Sequence, residues 1–179
     1  MSLKVFDRIE PVSKKDRILS TMREAIIRGQ MNPGDPIVES KLAQQFNVGQ
    51  PLVREALIEL EYQGFVQRLP YRATHVTKLS RADIEQAFRI RVELEALAIE
   101  WAKPNIKIED MKELRDLVKA MKQGARSMNL TQFYENDLAM HRKIWELSGN
   151  RYLAEALERI VVPLFAFFLM KTRRIKGSY

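Results

Sequence analysis

The stretch "QPLVREALIELEYQGFV", Gln50 to Val66, decides how the N-terminal part of this chain is read. Proline near its start is tolerated in the first turn of a helix. Val53, Ala56, Leu57 and Leu60 fall at i, i+3, i+4 and i+7, so they form one apolar stripe. Gly64 then offers the left-handed conformation that ends helices. Any core helix could carry that stripe. What sets this one apart is its polar start. Gln50, Pro51 and Arg54 point away from the stripe at the helix N-terminus, the end that enters a DNA major groove in helix-turn-helix readers. Arg can grip a guanine or a phosphate, and Gln can pair with an adenine. Arg54 beside Glu55 is equally compatible with a solvated surface pair.

Working outward, the neighbours complete an ordered set. Ser13 is an N-cap with Asp16 three residues on, and Ile18, Met22, Ala25 and Ile26 share a face up to Gly29. After the turn at Pro33-Gly34, a short helix fits Glu39 to Phe46, with Leu42, Ala43 and Phe46 turned inward. Beyond Gly64 the period changes. "FVQRL" and "THVTKL" are short strands around "PYRA", a hairpin tip. Residues 1–12 lack periodicity and read as an arm. Residues 13–78 therefore read as a winged helix-turn-helix with a two-stranded wing. Arg72 and His75 on the wing, and Lys41 on the short helix, join the positions expected to face DNA. Each of these is also an ordinary solvated residue when taken alone.

Residues 79–179 read as an all-α bundle, so the fold class is mainly α. Ser80 caps a helix whose face is marked by Ile84, Ala87, Phe88, Arg91, Leu94, Ala98 and Trp101, ending at Pro104. Met111, Leu114, Leu117, Val118 and Met121 mark a second helix, closed near Gly124. Thr131 caps a third that stops at Gly149-Asn150. A fourth runs from about Arg151 to Met170 with Pro163 inside, which should kink it or leave a carbonyl unpaired. The run Ile160 to Met170 is 11 residues long, about half of the ~20 that span a bilayer. It reads as buried, with part of its apolar surface lacking cover unless a second subunit supplies it.

Composition narrows the function classes. The chain has 179 residues, 46% of them hydrophobic, and no cysteine, so disulfide frameworks and cysteine zinc sites are excluded. Without an apolar leader at "MSLKVFDRIE" the expectation is a cytoplasmic protein off the membrane. Net charge is +7, but it does not choose a nucleic-acid-binding half. Residues 1–78 hold 12 basic against 9 acidic residues and the remainder 18 against 14. No nucleophile or glycine-rich phosphate loop is evident, so an enzyme is not expected. A helical module that binds protein through its winged helix remains the alternative.

Asp137 and His141 lie four apart on one helix face, in a largely apolar stripe with Tyr134, Leu138, Ile144 and Trp145. Two titratable groups there need a reason. One is a satisfied Asp–His contact inside the bundle; the other is metal.

"KLAQQFNV…PLVREALIELEYQGFV" resembles the DNA-binding domain of GntR-family bacterial transcription regulators, through Leu42-Ala43, Val48, Val53 to Leu57, Leu60-Glu61 and Gly64. The resemblance implies that Arg54 contacts DNA. Four places depart from the family's usual Ser/Thr, Arg, Thr, Pro. They hold Gly49, Gln50, Pro51 and Leu52, and Ala73 stands where the wing usually has glycine. "FRIRVELEALAIEWA" and "FYENDLAMHRKIWELSGNRYL" resemble the helical effector domain of the FadR/FCD subfamily, through Arg91, Leu94, Glu95 and the Asp-x-x-x-His followed by Gly-Asn. That resemblance implies a divalent metal such as zinc or nickel on Asp137 and His141. Two further histidines on later helices would complete the set. A small carboxylate effector would lie near Arg91 and Tyr134. The chain has only His75 and His141, so the metal set is incomplete here and the bundle is expected to stop short of its last helices. The resemblance further implies a homodimeric, metabolite-responsive repressor on a pseudo-palindromic operator.

Overall fold

The computed structural model describes residues 13–68 and 74–176, with side chains to residue 172. The N-terminal arm at 1–12 and the hairpin tip with Arg72 lie outside the described residues.

Helix α1 spans Lys14–Ile27, and the Ser13 hydroxyl caps it by accepting the Asp16 N–H at 3.0 Å. Helix α2 (Glu39–Phe46) turns through Asn47 at φ 52° into α3 (Gln50–Tyr62). The expected stripe is the buried one: Val53, Ala56, Leu57 and Leu60 have no exposed surface. They pack on Ile18, Met22 and Ile26 of α1.

The wing differs from expectation by one strand. β2 (Val66–Arg68) and β3 (Thr74–Val76) pair antiparallel, and β1 (Pro36–Ile37) pairs with the other edge of β3. The sheet is three-stranded in the order β1-β3-β2. Two residues are too short to show alternation, so only the pairing of Pro36 with His75 and Ile37 with Thr74 reveals β1.

Helix α4 (Arg81–Ala102) starts at a capping box between Ser80 and Asp83 and gives way to a short 3₁₀ turn at Lys103–Asn105. Then come α5 (Ile108–Arg126), α6 (Leu130–Leu147) and α7 (Arg151–Lys176). Four details depart from the sequence reading. On the expected helix faces Trp101 and Met111 are each 40% exposed and Phe88 39%, while Ala98 and Ala102 are buried. Gly124 lies inside α5, where a Cβ would sit 2.9 Å from the Phe133 backbone nitrogen; it is a close-approach site and not a stop. The cap of α6 is Asn129, whose side chain accepts the Gln132 N–H at 3.1 Å, and not Thr131. Helix α7 continues through Pro163 and beyond Met170, into basic residues that favour helix.

Helix α7 serves two cores. Leu153, Leu157, Val161 and Phe165 pack with Ala98 and Trp145 in the bundle. Ala166, Phe167, Leu169 and Met170 join the winged-helix core around Leu57 and Phe65. The apolar run that lacked an evident cover is therefore covered by this chain's own N-terminal domain. Apolar residues all round a helix are what burial on both sides requires. One close approach of the two parts is at Gly64. Its φ is +75°, and a Cβ there would lie 2.8 Å from the Val162 carbonyl group and 2.9 Å from Pro163 Cα. Within the winged helix, the buried Thr77 hydroxyl donates to the Gly64 carbonyl at 2.6 Å and holds the end of β3 to the turn after α3.

Candidate nucleic-acid interface and effector site

The start of α3 is built to face outward. Gly49 precedes it without any side-chain cap, and Gln50, Pro51 and Arg54 are all exposed. Uncapped amides in a first helical turn favour phosphate. The Arg54 guanidinium is held in place by a residue the sequence reading passed over. Glu39, in the first turn of α2, accepts from Arg54 Nε at 3.1 Å and Nη2 at 2.9 Å through the same Oε2 atom. Three of the five guanidinium N–H donors remain for a partner. Glu39 and Arg54 are 15 positions apart on different helices, so no periodicity links them. Lys41 is exposed on α2.

His75 is placed differently from the wing residue expected. It lies in the middle strand, in register with Pro36 on one side and Gln67 on the other. It is half-buried, and its Nδ1 is buried without a hydrogen-bond partner among the described residues.

In the bundle, four groups come together from α4 and α6. Arg91 Nε donates to Glu95 Oε2 at 3.0 Å, and Arg91 Nη2 lies 3.1 Å from His141 Nε2. Arginine has only protons to offer, so Nε2 must be the acceptor and the imidazole proton is assigned to Nδ1. Nδ1 sits 2.8 Å from Glu95 Oε1. The Nδ1–H therefore neighbours that oxygen, but the two are not aligned as a full hydrogen bond. Asp137 Oδ1 is 3.7 Å from His141 Nε2, beyond hydrogen-bond reach. Phe165 forms an edge contact with the imidazole at 5.6 Å and lies 5.3 Å from the Arg91 guanidinium. Burial opposes the ionisation of Glu95, but the contacts and charges of His141 and Arg91 together outweigh it and its pKa is lowered. For Asp137 burial wins. Its pKa is raised, against the pull of His141 and Arg91 and with the push of Glu95.

Tyr134 stands apart from this cluster. Its hydroxyl pairs with Thr172 Oγ1 at 3.3 Å, and its ring meets Phe165 edge-on at 6.2 Å. Phe165 thus links Tyr134 to Arg91 and His141. Asp137 and His141 provide two metal donors, and Arg91 already occupies the lone pair of one of them. Among the described residues no group of three or more His, Cys, Asp or Glu is placed to hold a metal ion. The donors present do not by themselves fit a closed metal site. Glu95 lies one turn from Arg91, as the spacing allows, but its contact with His141 crosses from α4 to α6 and has no trace in the spacing.

An uncapped reading helix locked to a small sheet, joined to a helical bundle with a half-buried Arg–Glu–His cluster, defines a class of two-domain regulator. Residues 14–76 match the family described as "Bacterial regulatory proteins, gntR family", and residues 86–178 match the FCD domain. The chain belongs to the GntR family, in the branch that carries an FCD domain. Its relatives are named as regulators and not as enzymes. The HTH-type transcriptional regulator McbR of Escherichia coli K12 is 24% identical, covering 88% of this chain and 71% of its own length. The HTH-type transcriptional repressor RspR of the same organism is 25% identical, covering 84% and 65%. YdhC of Bacillus subtilis is 27% identical, covering 78% and 62%, so the chain spans about two thirds of these relatives. The solved structure of E. coli McbR/YncC superposes with a TM-score of 0.64 at 24% identity, over 87% of this chain and 74% of that one. A putative GntR regulator from Rhodococcus sp. RHA1 gives 0.61 at 16% identity, with the same coverage. No helix among the described residues is long and apolar enough to cross a membrane.

Proposed function

We propose that the protein is a cytoplasmic, sequence-specific DNA-binding repressor that acts as a homodimer on a pseudo-palindromic operator and answers to a small carboxylate effector. The observation that carries this reading is the exposed Arg54 at the start of α3, oriented by Glu39, on a helix whose opposite face is locked into the core. Arg54 and Gln50 read bases, Pro51 shapes the entry, and Lys41 and Arg72 hold phosphates. His75 supports the sheet from which the wing projects.

Arg54→Ala should weaken operator binding by roughly tenfold to a hundredfold at fixed salt and relax preference at one base position in each half-site. The operator comes from selecting bound fragments with the unaltered chain, where an inverted repeat is expected. Equal affinity of the variant and the parent would remove Arg54 from the interface. Absence of any selected sequence would favour a protein-binding role for the winged helix.

Arg91, His141 and Tyr134 supply the effector site in this reading. A carboxylate entering it must compete with Glu95 for Arg91, which sets its selectivity for groups that pair bidentately. As the donors stand, excess zinc or nickel should leave the thermal midpoint of this chain unchanged. An upward shift lost in His141→Ala would show that Asp137 and His141 do close around a metal, with Arg91 displaced.

A further inference from the structure

Between the winged helix and the bundle lies a cleft of about 280 Å³, walled by α1 and α3 on one side and α6 and α7 on the other. That is near the lower end of the roughly 300–1,000 Å³ typical of small-molecule sites. Its floor is apolar and includes Leu138, Phe165, Ala166 and Leu169. Its rim is charged, and most of those charges are matched. Arg23 pairs with Glu135 across the two domains. Arg142 holds Glu158 through two bonds of 2.6 and 3.0 Å while lying over the Tyr62 ring.

One rim charge is left over. Glu59 lines the cleft and has no cationic partner among the described residues. Its Oε1 receives only the Gln63 side-chain N–H, at 3.0 Å. That bond fixes which end of the Gln63 amide is nitrogen, and so leaves Gln63 Oε1 as an acceptor with no donor among the described residues. Two adjacent acceptors, one of them charged, are short of donors beside an apolar floor. A carbonyl in that position costs stability until a donor reaches it. An ammonium supplies three donors and the missing positive charge in one compact group.

We propose that this cleft binds a small apolar amine. Its ammonium is held by Glu59 and by Gln63 turned toward it, and its body lies on Phe165, Ala166 and Leu169. An anion is disfavoured by the unpaired carboxylate. The walls belong to both domains, so a bound amine favours the docked arrangement of the winged helix on the bundle. The assignment stands independently of what α3 reads, while Phe165 and Tyr134 are shared between this cleft and the Arg91 cluster.

The probe is phenethylamine, with 2-phenylethanol as its uncharged counterpart, titrated calorimetrically into the whole chain. The amine should bind at least about tenfold tighter than the alcohol, the worth of one charge-assisted hydrogen bond. Glu59→Gln should bring the two to similar affinity. In the unaltered chain the amine should shift the methyl resonances of Leu138, Ala166 and Leu169, which keeps the test valid if the variant folds poorly. No saturable binding, equal affinity for amine and alcohol, or shifts confined to other parts of the chain would each overturn the proposal.

Discussion

Gly64→Ala should lower the stability of the whole chain by about 2–4 kcal/mol, the sum of the left-handed backbone penalty and overpacking. The new methyl would meet backbone atoms of Val162 and Pro163 at 2.8–2.9 Å, and these cannot step aside as a side-chain tip can. Either α7 moves or the turn after α3 does. In a chain of this size that is roughly 5–15 °C in thermal midpoint. Gly149→Ala is the internal control. Its φ is +70°, but the nearest atom is Asn105 Nδ2 at 3.7 Å. It should therefore show only the backbone penalty, about 1–2 kcal/mol. Equal losses in the two variants would mean that the contact between the winged helix and α7 is loose.

Phe167→Ala should cost about 3–5 kcal/mol, as for other buried aromatic truncations. The informative part is where the loss is felt. Phe167 is 5% exposed and lies in the same cluster as Val53, Leu57 and Leu60, more than a hundred positions away. Amide exchange should accelerate in α1 and α3 as well as in α7, because all three draw on one core. Exchange that rises in α7 alone would show two independent domains.

The sequence made the local structure plain wherever a cap or a stripe marked it. Ser13, the Ser80–Asp83 box and the Val53–Leu60 stripe each depend on residues within one or two turns. What stayed hidden depends on distant partners. β1 exists only because β3 runs beside Pro36 and Ile37. Gly124 reads as a helix end until α6 crosses it, and Met128 at φ 57° makes the turn that glycine was expected to make. The candidate sites divide in the same way. Arg54, Arg91 and His141 were visible as residue types in a pattern. Glu39 and Glu95 orient two of them across helix boundaries, and nothing in their spacing announces that. By its pattern alone helix α7 is a bundle helix with a bare side, since a periodic pattern cannot say which of two cores will claim each face.

The short join between the domains has a geometric consequence. β3 ends at Val76, Thr77 is hooked to Gly64, and α4 begins at Arg81. Only residues 78–80 lie between, a span of roughly 10 Å at full extension. Such a join cannot serve as a tether along which a reading head searches. In a two-fold assembly the distance between recognition helices then becomes a property of the folded body, which acts as a ruler. Adding a base pair between half-sites displaces one by about 3.4 Å along the duplex and rotates it around the axis. If the protein binds as the proposed dimer, it has no slack to follow, and operator spacing should be as strictly selected as operator sequence.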